Sequence, residues 1–128
     1  MVIALEPLEG LRIAVEYIKE GGVVLLNEER IPPVDVKIGA VRYPDTPEIK
    51  AALEQLGASV RVVAGSRLAE QAGTAKALNI VMLGAAFGSG VLPFGEEVLL
   101  EAIKRRVPQR FLDANLEAFK LGRESQHA

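Results

Sequence analysis

The sequence contains no cysteine. Its own side chains therefore make no disulfide, offer no thiolate nucleophile and hold no iron–sulfur cluster through sulfur. Histidine is nearly as scarce. The one copy, His127, sits in a polar tail, where it makes a poor catalytic base or metal ligand. Tryptophan is absent and aromatic residues reach only 5%. No basic stripe interleaved with aromatics is present, so no nucleic-acid partner is expected. No apolar run approaches the roughly 20 residues that cross a bilayer. No basic, apolar and small-residue leader pattern is visible either, so a cytoplasmic location without membrane contact is expected.

What is present is an ordinary globular composition, 49% hydrophobic and 25% charged over 128 residues with a net charge of −2. That length suits a single domain, residues 1–128, with a core that needs no metal. The stretch Ala77–Phe87 is apolar or glycine throughout except for Asn79. A run without a polar face predicts a helix covered on nearly all sides, around which the rest is organised. Gly84 and Gly88 fall four apart on one of its faces, where a neighbouring backbone gains close approach.

The first half alternates two periodicities. Met1–Leu5 and Val23–Leu26 are continuous apolar runs that suit strands buried on both faces of a parallel sheet. Between them, Leu8, Leu11, Val15 and Ile18 recur at helical spacing from Pro7 to Glu20, and Gly21-Gly22 provides a stop. The alternation Val34-Asp35-Val36-Lys37-Ile38, behind Pro32-Pro33, predicts an edge strand. Thr46 and Pro47 open a second helix with Ile49, Ala52, Leu53 and Leu56 inward, closed by Gly57. Val60–Ala64 reads as a strand, and Ser66 as the cap of a short helix ending at Gly73. Thr74 caps the apolar helix. Two more helices follow, Glu96–Val107 with Leu99, Leu100, Ile103 and Val107 inward, and Gln109 to about Leu121, ended by Gly122. The fold class is α/β, a small parallel, mixed-edge sheet flanked by helices with a helical C-terminal half.

Few motifs carry chemistry. The cluster GAAFGSG, Gly84–Gly90, lies within and after a helix whose N–H groups are already used, so close packing outweighs a phosphate cradle. Glu6 and Glu9 leave the first strand where ligands of parallel sheets collect, yet both also suit the positive end of a helix. The helix-end reading comes first for both, and a strand-end site for a small molecule or CoA near Glu6 and Asn27 comes second. Asn79 and Asn115 sit among apolar neighbours. An unpaired buried amide costs about 1–3 kcal/mol, so each reads first as a structural clasp and second as a ligand contact. Lys104, Arg105, Arg106 and Arg110 form a basic cluster, a solvated helix end or a dock for an acidic partner or a CoA phosphate. No catalytic or metal-binding set emerges.

An ordered series of residues nevertheless carries a resemblance. It runs through Ala4-Leu5-Glu6-Pro7-Leu8-Glu9, Asn27, Ile31-Pro32-Pro33, Tyr43-Pro44, Asn79-Ile80-Val81-Met82-Leu83-Gly84-Ala85, and Asn115-Leu116-Glu117-Ala118-Phe119 with Gly122. Taken together it resembles the gamma-type subunit or domain of 2-oxoacid:ferredoxin oxidoreductases, indolepyruvate ferredoxin oxidoreductases included. Members of that family begin with a glycine-rich strand–loop–helix ahead of the strand matched by Met1–Leu5. The resemblance is thus to the C-terminal part of the domain. It implies a component, inactive alone, of an enzyme that oxidatively decarboxylates a 2-oxo acid such as pyruvate or indolepyruvate to an acyl-CoA and reduces ferredoxin. Thiamine diphosphate, magnesium and iron–sulfur clusters would belong to partner subunits, the thiamine-binding large subunit first, with ferredoxin an indirect partner. Self-association through the N-terminal edge strand is also expected. A stand-alone α/β binding module without catalysis is the alternative.

Overall fold

The computed structural model of the chain describes residues 1–29 and 43–127. It divides into two compact units, Met1–Val62 and Val63–Ala128, each with a hydrophobic cluster of its own.

In the first unit, β1 (Val2–Ala4), α1 (Pro7–Tyr17), β2 (Val23–Asn27), α2 (Thr46–Gln55) and β3 (Ser59–Val63) follow one another. The parallel sheet has the order β1-β2-β3. Val2, Ile3 and Ala4 face Val24, Leu25 and Leu26 in parallel register. Val24, Leu25 and Leu26 are fully buried, as a continuous apolar run in a parallel sheet demands. β1 departs from expectation. It pairs with β2 and with no other described strand, and Ile3 and Leu5 stand 40% and 45% exposed. Ile3 and Leu5, two apart, lie on one face of the strand, so it is not buried on both faces.

The buried face of α1 is Pro7, Gly10 and Ala14, with Leu8, Leu11 and Ile18 packed beside them. Val15, expected inward, is 63% exposed. The reason is steric. A Cβ on Gly10 would lie 2.5 Å from the Ala4 Cβ and 3.0 Å from Leu26 Cδ2. The helix approaches the strands on its small residues, which turns Val15 outward. It also ends at Tyr17, with Ile18 already extended, and Gly21 (φ 79°) redirects the chain toward β2. There the Gly21 N–H donates to the Gly57 carbonyl and the Ser59 N–H to the Gly22 carbonyl. On α2, Ile49 and Leu53 are buried, whereas Leu56 is 41% exposed. Its cap is Asp45, whose carboxylate accepts the Glu48 N–H at 2.9 Å, and not Thr46, which is the first helical residue. The edge strand expected at Val34–Ile38 lies outside the described residues.

The second unit holds α3 (Gly65–Ala72), a 3₁₀ turn at Ala75–Ala77, α4 (Leu78–Gly88), α5 (Glu96–Arg106), a second 3₁₀ turn at Gln109–Phe111 and α6 (Leu112–Ser125). Ser66 lies inside α3, where Ala64 occupies the cap position, so the expected serine cap is not formed. Thr74 Oγ1 accepts the Lys76 N–H at 3.2 Å and opens the turn that leads into α4. Val81, Met82, Gly84, Ala85 and Ala86 of α4 are buried.

α4 and α6 are the most closely packed pair of the unit. A Cβ added to Gly84 would meet the Phe119 carbonyl oxygen at 2.1 Å, and one added to Gly88 the Arg123 carbonyl oxygen at 2.5 Å. Gly122 reciprocates, with the Val81 carbonyl oxygen 2.0 Å from its missing Cβ. Gly122 therefore does not end the last helix, which continues to Ser125. Its lack of a side chain serves backbone contact, not a left-handed turn. Phe119 is buried against Leu99 and Ile103 of α5, its ring centroid 6.1 Å from that of Phe87. Arg123 and Glu96 form an ion pair between α6 and the start of α5.

Candidate functional site

The residues singled out in the sequence fall into three places. Glu6 and Asn27 come together where β1 and β2 end. Asn27 is 1% exposed, and its Nδ2 donates to the Leu5 carbonyl at 3.1 Å, tying the last residue of β2 to the exit of β1. Glu6 is the N-cap of α1. One carboxylate oxygen accepts the Glu9 N–H at 3.0 Å, and the other accepts the Tyr43 hydroxyl. Glu9 faces solvent and pairs with Arg12 at 3.1 Å. Both oxygens of Glu6 are thus engaged by the fold, and its geometry is that of a cap. Sequence reasoning recorded Tyr43 only within the resemblance. Its separation from Glu6 by 37 positions left no local signal.

Asn79 and Asn115 meet elsewhere, on a cavity of about 250 Å³ in the second unit. Thr74, Lys76, Asn79 and Ile80 supply one wall from the 3₁₀ turn and the first turn of α4. Arg106, Val107, Pro108 and Phe111 supply the other, from the end of α5 and the turn beyond, and Asn115 of α6 completes it. The expectation that Asn79 is buried is corrected. It is exposed, and its Oδ1 accepts the N–H of the next residue, Ile80, at 3.0 Å. It lies at the start of α4, ahead of the buried stretch, so the clasp reading fails for it. Asn115 is 9% exposed, and its Nδ2 donates to the Phe111 carbonyl one turn back at 2.9 Å. That bond fixes the amide within its own helix. Beside it, the Arg110 guanidinium stacks over the Phe111 ring at 4.7 Å. The basic cluster was visible in the sequence. That Arg106 shares a cavity with Lys76 and two amides was not, because thirty positions separate the two cations.

Gly84 joins neither group; it lies in the seam between α4 and α6. Among the described residues no set of three histidine, cysteine, aspartate or glutamate side chains is placed to hold a metal. No described helix is long and apolar enough to cross a membrane. With no cysteine anywhere in the sequence, thiolate ligation of a cluster does not fit this chain.

Against known proteins, residues 1–125 match the family profile described as pyruvate ferredoxin/flavodoxin oxidoreductase. Curated relatives include the indolepyruvate oxidoreductase subunit IorB of Archaeoglobus fulgidus, 38% identical over 122 residues, covering 95% of this chain and 60% of the relative. The subunit of the same name from Methanothermobacter thermautotrophicus is also 38% identical over 122 residues, with 95% and 62% covered. Among solved structures, the gamma subunit of a keto/oxoacid ferredoxin oxidoreductase from Geobacter sulfurreducens superposes with a TM-score of 0.68 at 25% identity. That superposition covers 98% of this chain and 62% of the other. The chain spans about three fifths of the length of these relatives.

Proposed function

The chain belongs to the pyruvate ferredoxin/flavodoxin oxidoreductase family, and on that premise we propose that it is a non-catalytic component of a 2-oxoacid:ferredoxin oxidoreductase. It acts as a scaffold and docking part of an assembly that oxidatively decarboxylates a 2-oxo acid, forms an acyl-CoA and reduces ferredoxin. The observation that carries this reading is the family match over residues 1–125 in a chain with no cysteine and no metal-holding set among its described residues. Redox and carbanion chemistry are tasks of cofactors, so such a chain contributes shape and binding while partner subunits hold the reactive groups. Thiamine diphosphate, magnesium and iron–sulfur clusters are assigned to those partners, the thiamine-binding large subunit foremost. The sequence names of the relatives point to an aromatic 2-oxo acid of the indolepyruvate type as substrate. The open side of β1, with Ile3 and Leu5 exposed, supports self-association across that strand.

The test is affinity capture of the tagged chain from its native source, followed by assay of the captured assembly with 2-oxo acids, CoA and ferredoxin. A thiamine-binding large subunit is expected in the eluate, with ferredoxin reduced only when that subunit is present. Recovery of the chain alone in repeated captures would overturn the proposal in favour of a stand-alone binding module. Turnover by the isolated chain would overturn both readings.

A further inference from the structure

The outward side of α5 carries an order that the scaffold reading does not use. Leu99 and Ile103 bury one side of the helix. Val98, Glu101, Ala102 and Arg105, spaced i, i+3, i+4 and i+7, share the exposed side turned away from them. Val98 is 57% exposed, and the exposed Val91 and Phe94 extend the apolar line just ahead of the helix. Charge is sorted along the same helix. Glu96, Glu97 and Glu101 all precede Lys104, Arg105 and Arg106.

The helix dipole accounts for acids in the first turn and bases in the last. It accounts neither for Glu101, beyond the first turn, nor for a wet valine in the middle of the line. The ion pairs divide the charges further. Glu96 is held by Arg123, and Glu101 by Arg105 at 3.3 Å. Glu97, Lys104 and Arg106 form no ion pair with any described residue. A surface of one sign fits a partner of the other sign, whereas a surface whose sign reverses along its length fits itself run backwards. A parallel copy would set acid against acid and base against base.

We propose that the outward face of α5 pairs antiparallel with α5 of a second copy of this chain. The two-fold axis passes between Glu101 and Ala102. Glu97 and Arg106 are then equally far from the axis on opposite sides, so each free acid meets the free basic end of the other copy. Val98 and Arg105 are matched in the same way, and the arginine methylenes cover the valine. Ala102 lets the backbones approach, and each Glu101 is neutralised by Arg105 of its own helix. An 11-residue helix is about 16 Å long, too short for the roughly 800 Å² per partner of a standard interface. The pair is therefore weak, with a Kd on the order of 100 μM. The inference depends neither on the oxidoreductase reading nor on association through β1.

The experiment is sedimentation equilibrium of the full chain carrying Ile3→Lys, so that pairing through β1 does not contribute, at up to about 1 mM protein. A dimer is expected that weakens about fivefold or more as ionic strength rises from roughly 0.05 to 0.5 M. On this background Glu97→Lys, and separately Lys104→Glu with Arg106→Glu, should each abolish the dimer. An equimolar mixture of the two variants should restore it, because opposite charges again face each other at both ends. Val98→Glu, at an exposed position, should weaken pairing about tenfold. If the charge reversals unfold the chain, Val98→Glu and the salt dependence still decide. The proposal is overturned by a monomer at the highest concentration or by a dimer indifferent to salt, to Glu97→Lys or to Val98→Glu. A mixture no more associated than its components also overturns it. So does a monomer whose capture of a different subunit is lost in these variants, which assigns the face to that partner.

Discussion

Residues that a sequence treats alike are used by the fold in different ways. Glycine is the clearest case. Gly84 has ordinary helical geometry but a backbone oxygen 2.1 Å from its missing Cβ, whereas Gly90 adopts φ 78° with nothing within 4 Å. Gly84→Ala must push α4 and α6 apart and is expected to cost about 3 kcal/mol or more. Gly90→Ala meets only conformational strain and is expected to cost about 1 kcal/mol. Urea denaturation of both variants measures the difference, and equal midpoints would contradict the crowding argument. Asparagine divides in the same way. Asn27→Ala, which unties the buried β2 end from Leu5, should lose about 1–3 kcal/mol. Asn79→Ala, at an exposed position with a bond to its own neighbour, should stay within about 0.5 kcal/mol of the parent. A thermal-melt comparison of the pair distinguishes them. That Asn79 was polar was legible in the sequence; that it is wet was not, because composition does not say where along an apolar run the covering begins.

At the scale of elements, type and order were legible and faces less so. The four-residue spacing of Gly84 and Gly88 correctly announced a helix approached closely by another backbone, but the approaching partner, α6 with Gly122 in reciprocal contact, lies 38 positions beyond Gly84. α1 shows the opposite outcome. Its large apolar residues promised a stripe through Val15, and the helix instead docks on Pro7, Gly10 and Ala14. Close approach to β1 and β2 puts small residues at the contact and larger ones at its flanks, which hydrophobic periodicity alone does not rank. The consequence is a patch of exposed Ile3, Leu5 and Ile13 along β1 and α1. Ile3→Lys places a charge on the open strand, as natural edge strands do to resist pairing. It is expected to leave folding intact and to reduce self-association, read by sedimentation velocity at micromolar protein. A parent chain that sediments only as monomer would refute association through β1.

For the molecule as a whole, the apolar run at Ala77–Phe87 and the alternation of strand and helix periods were enough to determine an α/β class with a helical second half. The ordered family residues were enough to determine kinship, because both properties are written in the linear order of residue types. Tertiary structure decided everything that depends on distance between remote positions. It made Glu6 a cap held by Tyr43, moved the start of α2 to an Asp45 cap, and put Gly122 in a seam when the sequence made it a terminator. It also gathered Lys76, Arg106 and Asn115 around one cavity. The physical reason is the same each time. A residue's local preference is worth a few tenths of a kcal/mol to about one, while a steric overlap or an unpaired buried group is worth several times that. Where the two disagree, the contact made by folding wins.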